Sequence, residues 1–284
     1  MFLKSVLMGF LSFSILHADT LKECKTEADT ISGCVEKGYY EDGWIETPYK
    51  NGKVDGIVKE YFENGKLERE TPYKNGKKEG IEKEYYENGN LKIEIPYKNG
   101  EKEGIEKEYY SNGNLGVETP YQNGEREGMA KSYFENGNLA SETPYKNGKI
   151  EGIEKWYDEN GNLHIETPYK NGKIEGIEKW YDENGNLEIE APYKNGKVEG
   201  IAKVYFENGK IMAEIPYLNN LFHGDTRFYT EDGKLLALVK GENDEIISGK
   251  CFDDKVLTDK EREDLRRLKS VEEAINYLKE ICSK

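Results

Sequence analysis

Proline recurs in this chain at a fixed interval of 24 residues, and that interval constrains the fold more than any other feature of the sequence. All eight prolines keep it: Pro48, Pro72, Pro96, Pro120, Pro144, Pro168, Pro192 and Pro216. Glycine keeps the same interval from Gly56 to Gly224. Self-similarity at a period of roughly 20–50 residues is the signature of a repeat architecture. The chain is therefore predicted to be an array of one structural unit.

The unit itself predicts β-hairpins. One copy, residues 80–103, contains two Asn-Gly pairs, Asn88-Gly89 and Asn99-Gly100, separated by alternating apolar and polar residues. Asn-Gly between such runs favours a type I′ turn, because both central residues of that turn need positive φ. We therefore predict two antiparallel strands per unit, at about 81–86 and 91–97. Chained together, about eight such units form an all-β repeat fold, an elongated antiparallel β-meander.

Charge pairing predicts the register of each hairpin. A two-residue loop at the first Asn-Gly pair sets Lys83 opposite Glu94 and Tyr86 opposite Leu91, whereas a three-residue loop sets Glu94 opposite Glu82. Opposite charges across a strand pair stabilise a sheet by roughly 0.2–1 kcal/mol, and like charges destabilise it. The even-numbered loop is therefore expected.

The repeated pattern G-x4-Y-x2-NG-x-L-x2-E-x-PY-x-NGK-x2-G resembles the MORN repeat variant of bacterial YwqK-type proteins over about residues 43–249. The resemblance implies a single-layered β-meander that binds proteins or membranes, and such proteins are often called antitoxins. MORN arrays also precede the catalytic domain of certain plant lipid kinases. No phosphate-binding Gly-rich turn and no D-F-G or H-R-D element occurs in this sequence, so kinase activity is not expected.

The first 18 residues predict export. Lys4 precedes an apolar run at 6–16, and the small residue Ala18 ends the segment, as in a cleaved secretory signal. The run is shorter than the ~20 residues of a membrane span. We expect a bacterial protein that is periplasmic or secreted, with a signal peptide at 1–18 and an N-terminal cap segment at 19–42. The alternative is an uncleaved N-terminal anchor.

The last segment, residues 250–284, changes to a helical pattern. Thr258 with Glu261, and Ser270 with Glu273, each form a capping-box signature. A short C-terminal α-helical cap over the last open strand edge is predicted, since an exposed edge invites aggregation. A partner-docking or dimerising helix is the alternative.

Four cysteines flank the array, and none lies inside it. They are Cys24 and Cys34 before the array and Cys251 and Cys282 after it. An even count in an exported chain indicates disulfides. Of the three possible connectivities, the local one, Cys24 to Cys34 and Cys251 to Cys282, fits two terminal caps best.

Composition and motifs argue against several functions. The chain has 56 acidic and 41 basic residues, for a net charge of −15, so nucleic acid is not expected as a partner and an anionic membrane is disfavoured. No CxxC occurs and the three histidines lack metal-ligand spacing. No nucleophile elbow or pair of carboxylates in unlike surroundings is apparent. A non-enzymatic protein without cofactor or metal is predicted.

Aromatic residues in the two most similar copies supply the candidate binding stripe: Trp156, Trp180, Tyr157 and Tyr181. Ordinary packing of the tryptophans against the facing isoleucines is the alternative. The sequence thus predicts an exported scaffold for a protein or cell-envelope component. Two other functions stay open, namely an antitoxin or immunity protein that neutralises a toxin, and a binder of carbohydrate or peptidoglycan.

Overall fold

A computed structural model describes residues 21–282 and shows one open antiparallel sheet of 27 strands. The predicted signal peptide, residues 1–18, lies outside the described residues. Each 24-residue unit supplies two long strands and one two-residue strand, and successive long strands pair in chain order. The predicted β-meander of hairpin repeats with a C-terminal helical cap is confirmed.

The strands fall into three sets within the repeated units, with three further strands at the ends of the array. The first long strands are β4 (Gly56–Phe62), β7 (Gly80–Tyr85), β10 (Gly104–Tyr109), β13 (Gly128–Tyr133), β16 (Gly152–Tyr157), β19 (Gly176–Tyr181), β22 (Gly200–Tyr205) and β25 (Gly224–Tyr229). The second long strands are β5 (Leu67–Lys74), β8 (Leu91–Lys98), β11 (Leu115–Gln122), β14 (Leu139–Lys146), β17 (Leu163–Lys170), β20 (Leu187–Lys194), β23 (Ile211–Leu218) and β26 (Leu235–Glu242). The short strands are β3 (Lys53–Val54), β6 (Lys77–Lys78), β9 (Glu101–Lys102), β12 (Glu125–Arg126), β15 (Lys149–Ile150), β18 (Lys173–Ile174), β21 (Lys197–Val198) and β24 (Leu221–Phe222). The terminal strands are β1 (Cys34–Tyr40), β2 (Gly43–Lys50) and β27 (Glu245–Cys251), and the helices are α1 (Glu27–Ser32), α2 (Asp259–Arg266) and α3 (Val271–Cys282).

The two Asn-Gly turns of a unit differ in conformation. Asn99 and Gly100 both have positive φ, 54° and 93°, as a type I′ turn requires. At the other turn Gly89 has φ 91° but Asn88 has no positive φ, and the Gly89 amide donates to the Tyr86 carbonyl at 2.8 Å. The predicted type I′ turn at Asn88-Gly89 is therefore wrong. The loop is the three-residue kind in which a left-handed glycine completes the turn.

A bulge reconciles this longer loop with the charge pairing. Lys83 faces Glu94 as predicted, but Leu91 faces Tyr85 and not Tyr86. The pairing skips one residue of β8, and this extra residue restores the even register beyond the loop. A three-residue loop without the bulge would have set carboxylate opposite carboxylate.

Side chains of each long strand alternate between two faces of the sheet. We call the face that carries Trp156, Trp180 and Phe228 the helix face, because α3 packs on it around Phe228. The opposite face, which carries Ile81 and Lys83, we call the open face. A row of half-exposed apolar side chains follows the open face through seven units: Ile57, Ile81, Ile105, Met129, Ile153, Ile177 and Ile201.

Polar contacts on the open face tie each unit to the preceding one. Lys and Glu alternate across successive strands, with Lys107 facing Glu118 on one side and Glu94 on the other. Each glutamate of this row also accepts a hydrogen bond from a tyrosine hydroxyl of the next unit, at 2.7–3.2 Å. The eight donor and acceptor pairs are Tyr61–Glu46, Tyr85–Glu70, Tyr109–Glu94, Tyr133–Glu118, Tyr157–Glu142, Tyr181–Glu166, Tyr205–Glu190 and Tyr229–Glu214.

The C-terminal cap closes the array differently from the expectation of a helix on the strand edge. An extended segment, residues 255–257, covers the edge of β27, where the Leu257 amide donates to the Gly249 carbonyl at 2.9 Å. The helices follow this segment, and α3 buries Ile275 and Leu278 against the helix face. A disulfide between Cys251 and Cys282 joins the end of α3 to β27.

The N-terminal end has a similar closure. Residues 22–24 form backbone hydrogen bonds with the edge of β1, where the Cys24 amide donates to the Val35 carbonyl at 2.9 Å. A second disulfide joins Cys24 to Cys34. The sheet therefore begins at β1, inside the segment 19–42 that was expected to be a cap outside the array.

The tyrosine–glutamate bonds predict how stability depends on pH. Burial raises the pKa of Tyr181, and the hydrogen bond to Glu166 raises it further, to about 12. The pKa values of Tyr85, Tyr109 and Tyr205 are raised to about 12 by the same two causes. An unfolded tyrosine loses its proton near pH 10, so this contribution to stability is complete below pH 10 and is lost between pH 10 and about 12.

Urea unfolding at a series of pH values measures this loss. We expect the free energy of unfolding of Tyr181→Phe to fall less steeply than that of wild type from pH 10 to about 12. The variant lacks one phenol whose pKa is higher in the folded state than in the unfolded state. Equal slopes for the two proteins would contradict the assignment.

Candidate binding site on the helix face

The middle of the helix face changes chemistry along the array. Side chains that face one another across successive strands include charged residues in the first units, where Arg69 pairs with Glu84 at 2.7 Å and Glu60 at 3.4 Å. In the later units the equivalent positions are apolar. Those apolar residues are Trp156, Ile165, Trp180, Ile189, Val204 and Ala213. The apolar column leads directly into the core under α3, which contains Ala213.

A second column, formed by the short strands, changes in the same direction. Lys78 and Lys102 form ion pairs with Glu82 and Glu106, and the Lys78 ammonium lies 4.6 Å from the centroid of the Tyr97 ring. In the later units the equivalent residues are Ile150, Ile174, Val198 and Phe222. The later half of the helix face therefore lacks the cations of the earlier half.

Carboxylates persist beneath this apolar half, where neutral donors hold them. Glu178 is 8% exposed and accepts hydrogen bonds from the Thr167 hydroxyl at 3.0 Å and the Trp180 indole at 2.9 Å. Burial raises the pKa of Tyr193, and the charge of Glu178 raises it further. Glu154 likewise accepts a hydrogen bond from the Thr143 hydroxyl, at 2.8 Å. The Trp180 ring is thus fixed by a bond to a buried group.

The structure brings the two tryptophans of the candidate stripe together and separates the two tyrosines from them. Trp156 and Trp180 lie on the helix face on either side of Ile165, and Trp156 is 45% exposed. Tyr157 and Tyr181 point to the open face, because neighbouring residues of a strand alternate. They bond the open-face glutamates and do not belong to the tryptophan surface.

Two clefts that sequence reasoning missed lie beside this surface, at the loops between the long strands. One cleft, between α3 and the loops, has a volume of about 650 Å³. The other lies one unit earlier in the array and has a volume of about 540 Å³. Both are lined by Asp182, Glu188 and Glu207. Hydrogen bonds from the side chain and backbone of Asn186 hold the pKa of Asp182 below its usual value, so this carboxyl is charged.

The described residues give no sign of two other kinds of site. Among residues 21–282, no group of three or more His, Cys, Asp or Glu side chains is placed to hold a metal ion. In the same range, no helix has the length and apolar character needed to cross a bilayer.

The fold and the surface define a class: an open β-meander of repeated hairpins that presents side chains on two faces. Seven consecutive stretches, which together span more than half of the chain, match the MORN repeat variant. They are residues 54–75, 78–99, 102–123, 126–147, 150–171, 174–195 and 198–219. The chain therefore belongs to the MORN repeat variant family.

MORN repeats are generally thought to mediate protein or membrane interactions, and the family is not known as enzymatic. A comparison with curated proteins finds no match to the chain. The general role of the repeats agrees with a surface that binds a partner.

The exposure of Trp156 predicts that it contributes little to folding. We expect Trp156→Ala to lower the free energy of unfolding by less than about 1 kcal/mol, as substitutions of exposed residues do. Phe228→Ala, at the equivalent position under α3 and 7% exposed, is expected to cost about 3–5 kcal/mol. Urea denaturation of both variants checks this, and a large loss for Trp156→Ala would show that the tryptophan is part of a core.

Proposed function

We propose that this protein is an exported, non-enzymatic interaction scaffold, and that it binds a protein partner of the cell envelope or extracellular space. The contact surface is the partly exposed apolar column on the later half of the helix face, from Trp156 to Ile189. The observation that carries the proposal is the uninterrupted run of apolar residues across successive strands in the later half of the helix face, a run that charged residues interrupt in the earlier units.

Folding alone does not require tryptophan at these positions. The residues equivalent to Trp156 and Trp180 in earlier units are Glu84 and Glu108, and those units form the same strands with the same register. Tryptophan is enriched among the residues that contribute most to protein interfaces. An exposed apolar patch beside polar rims is a common mark of an interaction site.

Export is supported by the residues that flank the array. The segment 1–18 has the pattern of a secretory signal, and both cysteine pairs lie within bonding distance in the fold. Disulfides form and persist in oxidising compartments such as the periplasm or the extracellular space. These two features support the proposed periplasmic or secreted location.

An antitoxin or periplasmic immunity role is the second candidate. It is favoured by the carboxylates of Asp182, Glu188 and Glu207 beside the tryptophan surface, which suit a basic partner. It would use the same surface to cover a toxin. A gene whose product kills cells only when this protein is missing would support it.

Crosslinking in intact cells, followed by fractionation and mass spectrometry, tests the proposal. We expect wild type to retain a specific envelope or extracellular protein, and Trp156→Ala with Trp180→Ala to lose it. The matched control is Ile57→Ala with Ile81→Ala, which removes two open-face side chains that are about as exposed as Trp156. The control is expected to retain the partner.

Two outcomes would contradict the proposal. Equal capture by the tryptophan variant and wild type would exclude this surface. Recovery of the protein from the cytoplasm would exclude export.

A further inference from the structure

The two clefts exist where the chain departs from its own repeat. Directly after the regularly spaced tyrosine near the end of each first long strand, five units carry a second aromatic residue: Phe62, Tyr86, Tyr110, Phe134 and Phe206. The tyrosines bridge to the next unit, since Tyr86 donates its hydroxyl to the Tyr109 carbonyl at 2.7 Å. Two consecutive units carry Asp158 and Asp182 instead. Aspartate is too short to fill the same space.

The aspartates bond within their own loops. Asp182 accepts hydrogen bonds from the Asn184 amide at 2.9 Å and the Asn186 amide at 2.8 Å. The space that an aromatic ring would occupy between this loop and the next one is part of the 650 Å³ cleft. The 540 Å³ cleft lies one unit earlier, beside Asp158. Both volumes fall within the range of roughly 300–1,000 Å³ that is typical of ligand sites.

The two clefts differ at the backbone carbonyl that a tyrosine hydroxyl bonds in other units. In the smaller cleft the His164 ring nitrogen Nδ1 lies 3.0 Å from the Tyr181 carbonyl and replaces the missing hydroxyl. In the larger cleft the residue equivalent to His164 is Glu188, whose carboxylate accepts and does not donate. Tyr205 and Glu188 both line the larger cleft.

Charge in the larger cleft is strongly unbalanced. Five carboxylates line it, and the single ammonium, that of Lys279, is already paired with Glu231 at 3.5 Å. The carboxylates are Asp182, Glu188, Glu207, Glu231 and Glu272. The remaining walls include Phe206, Met212 and Ile275, which suit the aliphatic stem of a lysine or arginine. This combination of carboxylates and apolar walls favours a side chain that carries a cationic group at the end of an aliphatic chain.

We infer that the two clefts form one docking site for a basic segment of a partner protein, with a lysine or arginine side chain in each cleft. The inference rests on the proposed function, because it takes the partner to be a protein that also covers Trp156 and Trp180. One unit is two strands wide, so the clefts are about 10 Å apart. Cationic residues three apart in a polyproline II segment, or seven apart in an α-helix, lie on one side of the segment and match that spacing.

A labelled heptapeptide with lysine at its first, fourth and seventh positions, and alanine and leucine between them, is the probe. Fluorescence anisotropy at physiological ionic strength gives its affinity for the full-length protein. We expect the triple variant Glu183→Gln, Glu188→Gln and Glu207→Gln to bind at least about tenfold more weakly, because charges facing the ligand are lost.

The repeat supplies a matched control. Glu63→Gln, Glu68→Gln and Glu87→Gln change the net charge by the same amount at the equivalent positions of other units. This control is expected to bind within about twofold of wild type, since it leaves both clefts intact. Equal weakening by the two triple variants would mean general attraction to an acidic protein and would overturn the inference.

Filling the cleft gives an independent test. Asp182→Tyr restores the side chain of other units, and we expect it to weaken peptide binding at least about tenfold while the urea midpoint is unchanged or higher. Unchanged binding would overturn the inference. If the peptide fails to bind wild type while the tryptophan variant still loses its captured partner, the inference fails and the proposed function stands. If the peptide binds as expected but the tryptophan variant keeps its partner, the proposed tryptophan surface fails.

Discussion

The backbone ladder of a single open sheet is the constraint on which the rest of this structure depends. Outside the terminal caps no second layer covers the described strands, so each unit is stabilised mainly by its two neighbours. Register then has to be specified along the whole array. The alternating Lys–Glu row and the tyrosine bonds to those glutamates specify it, since a slip by one residue would move every such side chain to the other face.

Separation of the two faces leaves one of them available for function. The open face carries the contacts that join the units, and its sequence repeats closely. The helix face carries charged pairs in the early units and apolar residues in the late ones, with the same backbone pairing throughout. A change of side chain on the helix face therefore alters what the surface can bind while the sheet stays intact. The tryptophan surface and the two clefts are both changes of this kind.

Local chemistry allowed much of the fold to be predicted. Proline spacing, Asn-Gly pairs and cross-strand charge indicate hairpins, their order and the opposition of Lys83 and Glu94. The loop at Asn88-Gly89 was mispredicted because the same dipeptide occurs in two turn types, and a compensating bulge gives the same charge pairing in both cases.

The candidate site was less accessible to sequence reasoning. Grouping Tyr157 with Trp156 ignored the alternation of side chains within a strand. One feature of the sequence indicates the clefts: aspartate occurs at positions 158 and 182, where five other units have an aromatic residue. That signal does not reveal the wall supplied by α3, because the position of α3 depends on packing between segments far apart in the sequence.

The most direct test of this account removes two whole units at a time. Deleting residues 54–101 or residues 150–197 joins equivalent positions of the repeat, so both shortened proteins should keep β circular dichroism and cooperative unfolding. Crosslinked partner capture should survive the first deletion and be lost in the second, which removes both tryptophans of the surface. Capture that survives the second deletion, or that is lost in the first while the fold is kept, would contradict the account.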